Sequence, residues 1–178
     1  MQASRIEDEI SRRYAAVRSA TPNSGLIAVL HIGAEQTALA VGDLAEPEAI
    51  VVLAIGSKAT AREYFKNTPP TALELENAIV TVEDELARAR SSIPDDSPLY
   101  TTDAALCEVA RLSGVNKKPT MVLSIEAMEQ TFDRMASIAQ GRPASRSGLP
   151  ASNEFSATLL ILRECMHHLR FSAIGCIA

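Results

Sequence analysis

Residues 26–55 read LIAVLHIGAEQTALAVGDLAEPEAIVVLAI, and this stretch decides the fold. It contains three extended apolar segments, Leu26 to Ile32, Gln36 to Val41 and Ile50 to Ile55. Gly33-Ala34-Glu35 separates the first two segments, and a longer loop with a proline separates the last two. Short apolar runs bounded by Gly and Pro are typical of strands, so we predict an antiparallel three-strand meander.

Helical patterns lie on both sides of the meander. A first helix is predicted over about 5–19, and a second over 72–90, where Thr71 and Glu74 form a candidate capping box. The later elements are a strand at Leu99–Thr101, helices over 102–112, after Ser124 and from about Asn153 to Arg170, and a strand at Phe171–Ile177. This order is that of a ribonuclease-H/actin-like α/β domain of the ATPase type, with a five-stranded mixed sheet and helices on both faces.

Length and composition indicate one globular domain. A chain of 178 residues can bury roughly two-thirds of its unfolded surface around a single core. The formal net charge of −5 disfavours nucleic acid as a partner, because such binding draws on clustered Lys and Arg. No apolar run of about 18 residues could cross a membrane, and the N-terminal residues lack the apolar segment of a secretory signal. We therefore predict a single cytoplasmic domain over residues 1–178, without a membrane partner.

Cysteine and histidine spacing predicts no metal site. The three cysteines, Cys107, Cys165 and Cys176, are widely spaced and form no C-x-x-C pair, so we expect reduced core residues. His167 and His168 are adjacent on a predicted helix. Adjacent helical positions point about 100° apart, so these two side chains cannot easily share one ion.

The turn between the first two strands carries a resemblance to a known family. It reads His31-Ile32-Gly33-Ala34-Glu35-Gln36-Thr37 and is followed by Ala38. It resembles the phosphate-binding loop in the second domain of exopolyphosphatases and guanosine pentaphosphate phosphatases, roughly D-I-G-G-G-S-T-E. Ile32, Gly33 and Thr37 match that pattern. The positions that differ are His31 for Asp, Ala34 and Glu35 for two glycines, Gln36 for Ser and Ala38 for Glu.

The resemblance continues along the chain. Val52 to Phe65 is similar to the family's S-L-P-L-G-x-x-x-L-T-E-x-F, a strand that leads into a helix. A second glycine pair of the family, A-T-G-G-T, corresponds to Tyr100–Ala104, where Thr102 and Asp103 replace both glycines. The match runs from about residue 7 to 178. It corresponds to the family's second domain alone, without the first domain that carries the catalytic glutamate.

The substitutions argue against hydrolysis of phosphoanhydride bonds. A carboxylate at Glu35 would repel a phosphate by roughly 1–4 kcal/mol at about 4 Å, for effective dielectrics between water and a protein surface. Having His31 in place of aspartate removes an oxygen ligand that magnesium prefers. The resemblance therefore implies an exopolyphosphatase-related domain with a degenerate active site, and we expect it to act as a ligand- or partner-binding module.

The candidate ligand-binding residues lie at three predicted turns. They are His31, Gly33, Glu35, Gln36, Thr37, Gly56, Ser57, Lys58, Thr102 and Asp103. Ser57 and Lys58 could bind an anion at a helix N-terminus, or Ser57 could be the N-cap of that helix. His31 could be a general base, a metal ligand or a structural histidine, and Glu35 with Gln36 could form a polar site or an exposed turn.

Three functions are compatible with these residues. The leading hypothesis is a non-catalytic module for a small phosphate-bearing ligand or a partner chain, with no cofactor. The alternative is a phosphatase acting on polyphosphate or guanosine pentaphosphate, through a rewired site or as half of a hetero-oligomer, and magnesium would then be its cofactor. The third is a regulatory binder of a nucleotide. Because a lone half of a two-domain fold exposes a face that its partner covers, we also expect a homodimer.

Overall fold

Six β-strands form one mixed sheet in the computed structural model, which describes residues 2–95, 97–116 and 120–177. Residues 1 and 178, the ends of the predicted domain, lie outside the described part of the chain. The strands are β1 (Ile27–Ile32), β2 (Thr37–Gly42), β3 (Ala49–Leu53), β4 (Leu99–Thr101), β5 (Thr120–Ser124) and β6 (Ala173–Ile177). Their spatial order is β3-β2-β1-β4-β6-β5.

The first three strands pair in sequence order as an antiparallel meander. Strand β4 runs parallel to both β1 and β6, and β5 closes the far edge antiparallel to β6. The predicted α/β class with a mixed sheet is confirmed, but the prediction of five strands is wrong. The missed strand, β5, has only five residues, and its last residue, Ser124, is also the N-cap of the following helix. No Gly or Pro separates this strand from α5, and Met121, Val122 and Leu123 are all apolar, so the strand has no apolar–polar alternation of its own.

Six α-helices are found in the described residues. They are α1 (Gln2–Ala20), α2 (Ser57–Tyr64), α3 (Ala72–Ala89), α4 (Ala104–Leu112), α5 (Ile125–Ala139) and α6 (Asn153–His168). Helix α1 packs Ile10, Tyr14 and Val17 on one sheet face, against Ile27 and Val29. The other five helices contribute to the larger core on the opposite face, where α6 is the most buried. Within the described part of the chain, no helix combines the length and apolar character needed to cross a bilayer.

The helix caps follow the sequence signals in two cases and depart from them in one. The capping box of α3 is present: the Thr71 side chain accepts from Glu74 N, and the Glu74 carboxylate accepts from Thr71 N at 2.7 Å. Helix α5 begins directly after Ser124, as predicted, and the Ser124 side chain caps it by accepting from Ala127 N. Helix α2 differs, because its N-cap is Gly56 and no side chain caps it. The prediction that Ser57 is the N-cap is therefore wrong by one position.

Among the described residues, α1 leaves part of its sheet face uncovered, with Tyr100 packed at the border of the α1 cluster. Helix α1 lies over β1, β2 and β3, whereas Tyr100, Gly175 and Val122 form a row in register across β4, β6 and β5 on the same face. The Tyr100 ring lies against Gly175, since a Cβ on that glycine would be 2.7 Å from Cδ1 of the ring. Val122 is 58% exposed. We call this row the open half of the sheet.

Candidate functional site

The β1–β2 turn is closed onto the first turn of α2. Within the turn, the amide of Gly33 donates to the carbonyl of Gln36 at 2.9 Å. The carbonyl of Gly33 accepts from Ser57 N at 2.9 Å, and the carbonyl of Ala34 accepts from Lys58 N at 2.9 Å and from Ala59 N at 3.0 Å. The amides at a helix N-terminus are those that usually bind an anion. Here, carbonyl oxygens of the turn already occupy three of them.

Gly56 makes this close contact between the turn and α2 possible. A Cβ at Gly56 would lie 2.5 Å from the carbonyl oxygen of Ala34 and 2.5 Å from the carbonyl carbon of Glu35. Both are backbone atoms that cannot rotate away. Ala34 and Glu35 do not have the positive φ that a glycine-rich loop favours. The backbone of the turn therefore has φ angles that residues other than glycine adopt readily, as expected from the replacement of two glycines.

Glu35 is bound in a surface ion pair. Its two carboxylate oxygens accept from Arg62 Nη1 at 3.2 Å and Nη2 at 2.9 Å. The hydrogen bond from Arg62 is the main reason that the pKa of Glu35 lies below its ordinary value. Both side chains are exposed, so the pair contributes little to stability. Its effect is to keep a carboxylate at the rim of the turn.

His31 and Asp103 connect the two turns that resemble the family's glycine pairs. Nδ1 of His31 lies 2.8 Å from Oδ1 of Asp103 and 3.1 Å from Oδ2. The backbone amide of Ile32 donates to Oδ2 at 2.8 Å, and Nη1 of Arg13 lies 2.8 Å from Oδ1. Asp103 is 5% exposed. Its carboxylate is thus buried and hydrogen-bonded from three directions, which is how buried charges are usually accommodated.

Two residues of helix α1, Glu9 and Arg13, belong to this network and were not predicted from the sequence. Arg13 donates from Nη1 to the hydroxyl of Thr102 at 2.9 Å and from Nε to Glu9 at 3.0 Å. Burial acts to raise the pKa of Glu9, but the hydrogen bond from Arg12 and the charges of Arg12 and Arg13 lower it overall. Glu9 and Arg13 are four positions apart on one helix face, a spacing visible in the sequence.

A cavity of about 370 Å³ opens beside this network. It is lined by Arg5, Ile6 and Glu9 of α1, by His31, and by the turn residues 33–36. The imidazole edge that carries Nε2 lies next to Gly33, since a Cβ there would be 3.3 Å from that atom. The cavity therefore has an imidazole, two carboxylates and a guanidinium on its walls.

The ten candidate residues occupy four different places around the turn. His31, Gly33, Glu35 and Gln36 line the cavity, and Thr102 and Asp103 adjoin it through Arg13. Thr37 is fully buried in the core on the opposite sheet face from α1, and its hydroxyl has no hydrogen-bond partner among the described residues. Gly56, Ser57 and Lys58 lie beneath the turn at α2. Gly56, Ser57 and Lys58 do not line the cavity.

The fold and this pair of turns define a ribonuclease-H/actin-like α/β domain. Solved structures similar to it include the PPX-GPPA enzyme of Aquifex aeolicus, with a TM-score of 0.80 and 18% identity over 96% of this chain and 59% of that one. Another is an exopolyphosphatase from Cytophaga hutchinsonii, with a TM-score of 0.72 and 13% identity over 93% of this chain and 57% of that one.

The structural likeness confirms, at the level of the fold, the predicted resemblance to exopolyphosphatases. The chain spans less than three-fifths of the length of these neighbours, as expected for one domain of a two-domain protein. No protein-family model matches the chain, and no curated protein sequence matches it significantly.

Proposed function

We propose that this chain is an exopolyphosphatase-related domain that binds a small phosphate-bearing ligand or a partner chain without hydrolysing phosphoanhydride bonds. The observation that carries the proposal is the closure of the β1–β2 turn onto α2. A phosphate loop needs free backbone amides, and the amides of Ser57, Lys58 and Ala59 are already donated to the carbonyls of Gly33 and Ala34. The carboxylate of Glu35 adds negative charge where a phosphate would approach.

The engagement of Asp103 supports the same proposal. A carboxylate that holds magnesium needs free oxygen lone pairs directed at the ion. Both oxygens of Asp103 already accept from His31, and the Ile32 amide and Arg13 complete the set. The polar groups of the two turns are therefore hydrogen-bonded to one another beside the cavity.

Phosphate release tests the absence of hydrolysis. The chain is incubated with polyphosphate or guanosine pentaphosphate in the presence of magnesium, and we expect no release above the protein-free rate. Glu35→Ala is assayed in parallel, with Glu63→Ala as a matched control on the same exposed side of α2. Turnover by the wild type that Glu35→Ala abolishes and Glu63→Ala retains would overturn the proposal.

Ligand binding is tested separately by thermal shift. A ligand present at 100 times its dissociation constant adds about 2.7 kcal/mol to the free energy of unfolding. We expect a nucleotide or inorganic polyphosphate to raise the melting temperature, and His31→Gln to remove the shift because His31 lines the cavity. The absence of a shift with every nucleotide and polyphosphate in the panel would leave partner binding as the proposed role.

A second candidate function is a hydrolase that uses His31 as its general base. The observation that favours it is the contact between His31 and the buried Asp103. Because a carboxylate only accepts, Nδ1 of His31 carries a proton, and in the neutral imidazole Nε2 then has the lone pair, the arrangement in which a carboxylate orients a catalytic histidine. Magnesium would supply charge stabilisation of the phosphate. Loss of measured turnover in both His31→Gln and Asp103→Asn, with folding intact, would support this candidate.

The partner that we propose is a second copy of the chain docked on the open half of the sheet. Tyr100, Gly175 and Val122 form an apolar row in register, and Val122 is 58% exposed. Sedimentation at tens of micromolar tests it. Val122→Lys should give a monomer, whereas Val80→Lys on α3, a valine of equal 58% exposure, should leave a dimer. A monomeric wild type would contradict this part of the proposal.

A further inference from the structure

Three metal-type donors from two helices converge far from the cavity described above. Glu83 lies on α3, and Glu164 and His168 lie four positions apart on α6, so the latter two share a helix face. Nε2 of His168 is 3.2 Å from Oε1 of Glu83 and 3.3 Å from Oε2 of Glu164. All three donor atoms lie within 4.8 Å of one another.

Two of the three donor separations fit a tetrahedral cation. Zinc binds imidazole nitrogen and carboxylate oxygen at about 2.0–2.1 Å, so two ligands of a tetrahedral site are about 3.3 Å apart. Magnesium demands octahedral geometry at a similar bond length, which brings neighbouring ligands to about 2.9 Å. The two contacts of His168, at 3.2 and 3.3 Å, match the tetrahedral spacing.

Glu164 is a buried carboxylate with one oxygen directed into the cluster. Its side chain is 3% exposed, and Oε1 accepts from Nη1 of Arg163 at 2.6 Å. Among the described residues, no hydrogen bond is formed to Oε2, which faces His168. The hydrogen bond of His168 Nε2 is directed at Glu83, so Oε2 of Glu164 has an electrostatic contact with His168 but no hydrogen bond from it.

The surroundings have the charge and access that a divalent cation requires. Arg163 also donates to Glu129 at 3.0 Å, and Glu129 in turn contacts His167. Glu83, Glu129 and Glu164 contribute three negative charges, and Arg163 contributes one positive charge. The group therefore has a formal charge of −2 when His167 and His168 are neutral. Glu83 and His168 are about two-fifths exposed, which leaves a path from solvent and room for water as the fourth ligand.

From this geometry we propose that Glu83, Glu164 and His168 bind a divalent transition-metal cation, with zinc the best fit. Imidazole with two carboxylates is a zinc-type donor set, and the contact of Arg163 with Glu164 is the kind of outer-shell contact that orients a ligand. The ion would join α3 to α6. This assignment replaces the expectation of no metal, which considered the adjacent pair His167-His168 and not the spacing of Glu164 and His168.

Isothermal titration with zinc chloride tests the site on the full chain, freed of affinity tag and treated with a chelator. We expect one equivalent to bind. His168→Ala should weaken the affinity by more than about tenfold, the size of effect that even outer-shell changes reach. His167→Ala is the matched control, since the neighbouring ring turns away to Glu129, and it should bind zinc like the wild type.

Cobalt(II) absorption identifies the ligands. A tetrahedral site with nitrogen and oxygen donors gives intense visible bands without sulfur charge-transfer bands, and millimolar magnesium should not displace the ion. Glu83→Gln tests the ligand on the other helix, α3. Circular dichroism of this variant checks that its helix content, and so its fold, is retained. Absence of zinc binding by the wild type, equal losses in His167→Ala and His168→Ala, or sulfur charge-transfer bands would each overturn the proposal.

Discussion

Nδ1 of His31 lies 2.8 Å from Oδ1 of Asp103, and this contact links the carboxyl ends of the parallel strands β1 and β4. In the family pattern, the acid stands at position 31 and the later turn holds two glycines. Here an imidazole occupies position 31, and the acid is supplied by the later turn. The two side chains therefore fill the space between the turns and are hydrogen-bonded to each other.

Removing the charge of Asp103 should destabilise the fold. Asp103→Asn leaves Arg13 and His31 beside a neutral amide, and breaking a buried pair costs roughly 3–5 kcal/mol. We expect about 3 kcal/mol in urea unfolding, because the Arg13 side chain is 23% exposed and regains some solvation. Glu108→Gln, which breaks the exposed pair with Arg111, is the control and should cost less than about 1 kcal/mol. Equal effects would mean that the buried network is not structural.

Adding one methyl group should be costly at Gly56 and tolerated at Gly175. The new Cβ of Gly56→Ala meets backbone atoms at 2.5 Å, so the turn or α2 must shift, at about 1–3 kcal/mol of unfolding free energy. The Cβ of Gly175→Ala meets the Tyr100 ring at 2.7 Å, and that ring can move into the open half of the sheet. Urea unfolding of both variants checks the order. A smaller cost for Gly56→Ala would contradict the close contact.

The capping box of α3 should lose its effect in acid. Hydrogen bonds from the Thr71 backbone, and further ones from Lys66, Asn67 and the Thr71 side chain, lower the pKa of Glu74 from 4.5 to about 2. A lowered pKa means that the stabilisation is complete above pH 4.5 and is lost as the pH falls towards 2. The melting temperature of the wild type should therefore exceed that of Glu74→Gln at pH 6 and approach it near pH 2.

Glu76→Gln provides the control for that comparison. Glu76 is exposed on the same helix and forms no hydrogen bond in the described part of the chain. The difference between its melting temperature and that of the wild type is measured at the same two pH values, as the reference for loss of a carboxylate outside the cap. A difference for Glu74→Gln that stays constant between pH 6 and pH 2 would contradict the prediction.

The thiols should be unreactive in the folded protein. Burial is the main cause that raises the pKa of Cys165 and of Cys176 to about 12, and it also raises the pKa of the half-buried Cys107. The thiolate is the reactive form, so alkylation at pH 8 should modify at most Cys107 in the native state and all three cysteines in denaturant. Mass spectrometry of the digested protein locates the label. Native labelling of Cys165 would contradict its burial.

The sequence predicted those features that local patterns determine. Apolar runs bounded by Gly and Pro located the meander, and the spacing of Thr71 and Glu74 located the α3 cap. Strand β5 was missed because its residues 121–123 are all apolar and show no alternation, and because no Gly or Pro separates the strand from α5. The cap of α2 was misplaced because Gly56 acts through its lack of a side chain, and close backbone approach cannot be read from composition.

The candidate sites were harder to predict because their contacts join distant parts of the chain. His31 and Asp103 were both selected as candidates, but nothing local indicates that they touch. Arg13 was missed because its role depends on how α1 packs across the sheet. Likewise, the spacing of Glu164 and His168 was visible in the sequence, whereas Glu83 is brought to them only by the packing of α3 against α6.

The closure of the β1–β2 turn onto α2 has a mechanical consequence. Since the Ala34 carbonyl holds two amides of α2, displacement of the turn by a ligand in the cavity would shift that helix as well. The segment that follows α2 is held to the start of α6 by the Asn153 side chain, which donates to the Asn67 carbonyl at 2.9 Å. Occupancy of the cavity would thus be transmitted through α2 to the central helix of the opposite layer.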